Sequence, residues 1–183
     1  MYSGIPIVIQ FDNVIVNTNE TLLKLYNYRY HTQLDYTTWT HPNPVAIFGE
    51  EIGSRMFNML EGYTFYDCVT FYKGIIDSIG RLIHMGFDIY IWLTPPNTSV
   101  YHAQVELLNT IPDIDKITLC TDNIVQYLSS AICITSDAAY IKSISCRLPI
   151  LYKQPWCKDY KGITYYHHDD LVNIIFKNLK IKG

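Results

Sequence analysis

The stretch Ile5-Pro6-Ile7-Val8-Ile9-Gln10-Phe11-Asp12-Asn13 decides the fold. Its first part is a continuous apolar run rich in β-branched residues, the pattern of a strand buried on both faces in a parallel sheet. The run stops at Asp12-Asn13 and is followed by a second short apolar stretch, Val14-Ile15-Val16. Asn17-Thr18-Asn19 then offers helix N-caps with Glu20 in the first turn, and Leu22, Leu23, Leu25 and Tyr26 mark the apolar face of that helix.

The same alternation continues away from this stretch. Phe87–Leu93 reads as a second buried strand, closed by Thr94-Pro95-Pro96, and Ile117–Cys120, Ala131–Thr135 and Pro149–Tyr152 read as three more. Between them, Ile75, Ile76, Ile79, Leu82 and Ile83 form a helical stripe that stops at Met85-Gly86, where the glycine suits the C-cap. Asn97 or Thr98 caps a helix through Val100, Val105, Leu107 and Leu108. The segment His168–Leu179 predicts an amphipathic helix with acids at its start and lysines at its end, as the helix dipole prefers. Residues 32–66 differ: after the loop Trp39-Thr-His-Pro-Asn-Pro44, apolar residues from Ile47 to Leu60 recur at helical spacing. The expectation is an α/β chain: a Rossmann-like three-layer core with a right-handed, mostly parallel sheet over residues 1–18 and 67–183, and a small helical insertion over 19–66. Ligands of such sheets bind beyond the carboxyl ends of the strands. Gln10 to Asn13, Thr94 to Asn97, Thr121 to Asn123 and Thr135 to Asp137 are therefore the residues of interest.

Composition sets the outer limits. The 183 residues are 49% hydrophobic and 17% charged, enough to bury a core and far from the makeup of a disordered chain. A net charge of −3 and a pI near 6.0 give no basic footprint, so no nucleic-acid partner is expected. No apolar run is long enough to span a bilayer, and no basic stretch precedes an apolar one at the amino terminus. No membrane association is expected, and the five cysteines, without C-x-x-C or zinc-type spacing, suit a reducing cytoplasm. The low charge and 16 tyrosines suit an AT-rich, viral genome.

The four strand ends, in this order, resemble those of the haloacid-dehalogenase (HAD) phosphatases, and most nearly the 5′(3′)-deoxyribonucleotidases, whose helical cap follows the first strand. Gln10-Phe11-Asp12-Asn13-Val14-Ile15 stands where that family has D-x-D-G-V-L, and Leu93-Thr94-Pro95-Pro96 matches its second motif. Cys120-Thr121-Asp122-Asn123 keeps the frame of T-x-D-K without the lysine. Ile134-Thr135-Ser136-Asp137 keeps one acid of the final pair.

The resemblance implies roles, and the departures fall on them. Gln10 replaces the nucleophilic aspartate, and a neutral carboxamide cannot form the aspartyl-phosphate. Asp12 stands at the acid/base position and Thr94 at the phosphate-binding threonine, whereas Asn123 replaces the lysine that stabilises phosphate. Ser136 and Asp137 are the remnant of the metal site; with Gln10 in place no resident cofactor is expected, and Mg²⁺ only if the chain is active. By the same resemblance the cap aromatics Trp39, Phe48, Phe57, Phe65 and Tyr66 are candidates to stack a base, with Phe48, Phe65 and Tyr66 put forward.

Each position also has a plain structural reading. Gln10 can be a strand-end amide satisfied by its neighbours, Asp12 a turn cap, Thr94 a helix cap and the aromatics the core of a small lobe. His167-His168-Asp169-Asp170 reads as a helix start rather than a metal site, since adjacent residues do not share a helix face. The leading expectation is a pseudophosphatase that binds a nucleotide-like small molecule or a protein. The alternatives are an active Mg²⁺-dependent deoxyribonucleotidase using Asp12 and Thr94, and a purely structural protein, for which a homo-oligomer is the natural assembly because tyrosine favours interfaces.

Overall fold

The computed structural model describes residues 4–121 and 129–181. Among these, six strands form one parallel sheet: β1 (Pro6–Gln10), β2 (Asp88–Trp92), β3 (Ile117–Cys120), β4 (Ile132–Thr135), β5 (Leu148–Tyr152) and β6 (Ile163–Tyr165), in the order β3-β2-β1-β4-β5-β6. β1 pairs with β2 through Ile7↔Ile89 and Ile9↔Ile91, and with β4 through Ile7↔Ile132 and Ile9↔Ile134. All six of those isoleucines are at most 1% exposed, which is why the central strand reads as unbroken apolar sequence. The chain winds outward from β1 to β3, then returns to β4 on the other side of β1. The reversal opens a crevice at the carboxyl ends of β1 and β4.

All five strands expected from the sequence are present. The sixth, β6, is three residues long at the sheet edge and too short to carry a periodicity.

The helices are α1 (Thr18–Tyr30), α2 (Val45–Leu60), α3 (Ile75–His84), α4 (Thr98–Leu108), α5 (Ala138–Ser143) and α6 (Leu171–Ile181). α3 stops at Met85-Gly86, where Gly86 takes a φ of 88° that side chains rarely adopt. Asn97 caps α4, its side-chain oxygen accepting from the Val100 N–H at 2.9 Å. The final helix differs from expectation. His168–Asp170 is a 3₁₀ turn, and α6 begins only at Leu171. His168 is turned inward, 1% exposed, and Asp169 packs against Gly74, where a Cβ would collide with its carboxylate.

Residues 18–68 contribute no strand to the sheet. α1 and α2 pack on one another, with 3₁₀ turns at Tyr36–Thr38 and Tyr63–Cys68. α2 bends at Gly49, whose φ of 79° and ψ of 173° are non-helical, and the bend lays Val45 against Gly53 so closely that any side chain there would strike backbone. This segment leaves and rejoins the sheet side by side. The Asn17 N–H donates to the Thr70 carbonyl at 3.1 Å, the Thr70 N–H to the Asn17 side chain at 3.0 Å, and the Tyr72 N–H to the Ile15 carbonyl at 2.9 Å. Trp39, fully buried, ties the segment to the core, its ring 5.3 Å from Phe48, 5.6 Å from Tyr36 and 6.5 Å from Trp156, which follows β5.

The thiols are unequal. Cys133 and Cys157 are buried, whereas Cys68 is exposed. Brief treatment of the folded protein with iodoacetamide is therefore expected to label Cys68 first and to leave Cys133 and Cys157 unmodified until denaturant is added, as read by peptide mass spectrometry. No helix among the described residues is long and apolar enough to cross a membrane.

Candidate functional site

The side chain of Gln10, at the end of β1, settles onto the end of β4. Its Oε1 accepts from the Thr135 hydroxyl at 2.6 Å and from the Ser136 N–H at 3.1 Å, with the Ser136 hydroxyl at 3.5 Å. Parallel pairing of β1 with β4 puts these groups side by side, and their bonds join the two strand ends. Of the two readings of Gln10, the strand-end amide held by its neighbours describes its geometry. It does not line the adjoining cavity.

Beyond Gln10 the chain turns tightly. The Ile15 N–H donates to the Phe11 carbonyl at 3.0 Å, and Phe11, Val14, Ile15 and Val16 are fully buried beneath the turn. Asn13 adopts φ 61°, a left-handed conformation that asparagine tolerates, and its Oδ1 accepts from the Asn19 N–H at 2.8 Å. Asn13, rather than the residues at 17–19, supplies this cap to the start of α1. Asn17 instead accepts from the Thr21 hydroxyl at 2.9 Å.

Asp12 is carried over a cavity of about 290 Å³ between the strand ends and the helices of residues 18–68. Its carboxylate accepts from the Thr18 hydroxyl at 2.6 Å, from the Thr94 hydroxyl at a weak 3.5 Å, and from the Tyr66 hydroxyl. Burial pushes the Asp12 carboxyl above the usual range, and the three hydroxyl donors oppose that shift without cancelling it. Tyr66 is oriented in turn by Gln104, fully buried, whose amide N–H donates to the tyrosine oxygen at 2.9 Å. Burial and the nearby Asp12 push the Tyr66 hydroxyl far up, so it acts as a donor to Asp12. Thr94 is not the cap of α4; Asn97 is.

The raised carboxyl has a stability consequence. A group whose folded pKa exceeds its unfolded value destabilises the fold above that pKa, and the penalty is relieved as pH falls through it. Asp12→Asn keeps the shape and an acceptor oxygen while removing the charge. It is expected to raise the Tm at neutral pH, with the gain shrinking on acidification, as measured by thermal unfolding across pH.

The other expected site residues separate. Asp137 caps α5, its Oδ1 accepting from the N–H groups of Ala139 at 2.8 Å and Tyr140 at 3.0 Å. Ser136 is 1% exposed, with its carbonyl taken by the Trp156 indole N–H at 2.7 Å. Neither lines the cavity. Asn123 lies outside the described residues. Among the aromatics, Tyr66 lines the cavity, but Phe48 packs edge-on against Trp39 and Phe65 edge-on against Tyr66 at 5.2 Å, so neither faces a ligand. Phe57, 38% exposed, is the second aromatic of the cavity, with Leu60 and Pro96 beside it.

These donors do not suit the Mg²⁺ ion that the resemblance implies. A hard divalent ion seeks several free carboxylate oxygens. Here the cavity floor offers Asp12 alone, the Gln10 oxygen is taken by its donors, and the bonded oxygen of Asp137 faces backbone N–H groups. Among the described residues no group of three His, Cys, Asp or Glu side chains is placed to hold a metal.

No family model matches the sequence, and no curated protein does either. By structure the chain is similar to a predicted phosphatase from Clostridium acetobutylicum, with a TM-score of 0.67 and 13% identity over 96% of this chain and 99% of that one. A HAD-superfamily hydrolase from Ehrlichia chaffeensis gives 0.61 and 14% over 98% and 99%, and a hydrolase from Pseudomonas syringae gives 0.58 and 11% over 95% and 99%. Identities this low speak for the architecture, and the near-complete coverage of both chains includes the helical segment as well as the sheet. The parallel six-stranded sheet, its strand order and the helical segment after β1 are together the fold of the HAD hydrolases.

Proposed function

We propose that this chain is a pseudophosphatase: a HAD-fold protein related to the 5′(3′)-deoxyribonucleotidases that has lost phosphate-ester hydrolysis and kept the cleft for binding. One observation carries the reading. The group at the end of β1, where the resemblance requires an attacking carboxylate, is the Gln10 carboxamide, and its oxygen is occupied by the Thr135 hydroxyl and the Ser136 N–H. A neutral amide oxygen that already accepts two hydrogen bonds has neither the charge nor the free lone pair to attack phosphorus. Asp12 does not replace it. Were Asp12 the attacking group, the acid/base position two residues further on would be the fully buried Val14, which transfers no proton. In this reading the cleft is kept for a small molecule, and a protein partner or a second copy of this chain would meet exposed side chains such as Tyr28 and Tyr166.

The assay uses purified protein with dUMP, dTMP and p-nitrophenyl phosphate in the presence of Mg²⁺. Phosphate release is expected to stay at the level of buffer, and Gln10→Asp alone is expected not to restore it, because the lysine and the second acid are also missing from the sequence. Mg²⁺-dependent turnover that disappears in Asp12→Asn would establish the active deoxyribonucleotidase instead.

A further inference from the structure

We propose that the cleft over Asp12 takes a small organic cation, an ammonium or amidinium group on an apolar body, rather than a phosphate ester. The inference rests on the reading of the cleft as a binding site without hydrolysis, and it names the charge of what binds.

The cavity presents negative charge without compensation. Asp12 lies at its floor and Glu61 at its rim, and among the described residues no Lys, Arg or His lines it. A phosphate dianion entering this space would meet two carboxylates and no cation, the arrangement that recognition of phosphate avoids.

The hydroxyl donors of the cavity are committed to Asp12. The hydroxyls of Thr18, Thr94 and Tyr66 all point to Asp12. The amino end of α1 borders the cavity and in other proteins would offer free N–H groups to an anion. Here the Asn19 N–H is taken by Asn13 Oδ1. An anion would have to displace that partner and draw the hydroxyls away from Asp12, whereas a cation meets carboxylates directly.

The walls fit the rest of such a molecule. Phe57 and Tyr66 present aromatic surface, and Leu60 and Pro96 apolar surface, next to the two acids. Aromatic faces attract cations as well as flat apolar rings. A volume of about 290 Å³ is at the small end for a ligand site, which favours a body of one ring over a nucleotide. The burial of Asp12 without a counter-ion agrees with a partner that brings one.

Calorimetric titration of the full chain with benzamidine and with tyramine tests this, alongside inorganic phosphate, dTMP, thymidine and MgCl₂. Saturable binding of at least one amine is expected. It should weaken by about tenfold or more in Glu61→Gln and in Asp12→Asn, and by a similar factor in Phe57→Ala, with circular dichroism confirming that each variant is folded. Phosphate, dTMP and Mg²⁺ are expected neither to bind nor to compete. The inference is overturned if neither amine saturates the protein up to roughly 10 mM, if amine binding is unchanged in Glu61→Gln and Asp12→Asn, or if phosphate, dTMP or Mg²⁺ binds in the amine's place. Binding of dTMP without phosphate release removes this inference and leaves the pseudophosphatase reading standing. Phosphate release removes that reading itself.

Discussion

Truncating Trp39 to alanine is expected to destabilise the protein by about 3–5 kcal/mol, read as a fall in the urea midpoint at unchanged m-value. The indole is fully buried where three segments meet: Tyr36 before α2, Phe48 on α2, and Trp156 after β5. Removing it opens a cavity between the helical segment and the sheet, and the rigid aromatic neighbours cannot collapse into it. Trp39→Phe makes the argument specific. The indole Nε1 is buried without a hydrogen-bond partner among the described residues, so phenylalanine retains much of the packing and deletes an unsatisfied donor. The phenylalanine variant should therefore lose well under half of what the alanine variant loses. Equal losses would show that the contact is not one of packing.

The second large effect comes with acid. His168 is 1% exposed beneath the rings of Tyr72, Tyr152 and Tyr165, its Nδ1 lies 3.4 Å from the Tyr165 hydroxyl, and its Nε2 makes no well-formed hydrogen bond among the described residues. Burial among these rings pushes the imidazole down to about 4 from an ordinary 6.5. The unfolded chain binds a proton near the ordinary value and the folded chain does not. Stability is therefore complete above pH 6.5, falls as pH drops from there, and levels off below about 4, for a loss of about 3 kcal/mol. Asp12 works in the opposite direction, since acid relieves its buried charge. Urea titrations from about pH 7.5 to about pH 4.5 are expected to show a falling midpoint in the wild type and a flatter profile in His168→Gln. A wild-type midpoint that rises over this window would mean that Asp12 outweighs His168.

The architecture was legible because its signals are local and strong. An apolar, β-branched run such as Ile5–Phe11 belongs to a strand with both faces covered, and the stop at Met85-Gly86 and the Asn97 cap sit where the spacing puts them. Short elements were not legible. β6 carries too few residues for a period, and His168 reads equally well as a helix start or as a core residue until its neighbours are known. The candidate site was half legible. Asp12 and Thr94 meet at the cavity as the strand-end argument requires, and so does Tyr66. Gln10 turned to a partner 126 residues away, which no local pattern encodes, whereas Asp137 made a local helix cap where the resemblance implied a metal remnant. Phe57 reads as one of the cap aromatics but not as one of the leading three: helical spacing marks which residues share a face, but not which face a helix bent at Gly49 presents to the sheet.

The paired strands of backbone at residues 15–17 and 70–72 have a consequence for how such a protein diversifies. Exit and return share one stem, so the intervening stretch is attached to the sheet at a single place, like a branch on a trunk. Substituting one branch for another requires matching only that junction, and the sheet's strand order is indifferent to the exchange. What resists grafting is Trp39, which reaches past the stem to Trp156. A transplanted segment of different sequence would have to bring its own plug for that hole or leave the trunk wet.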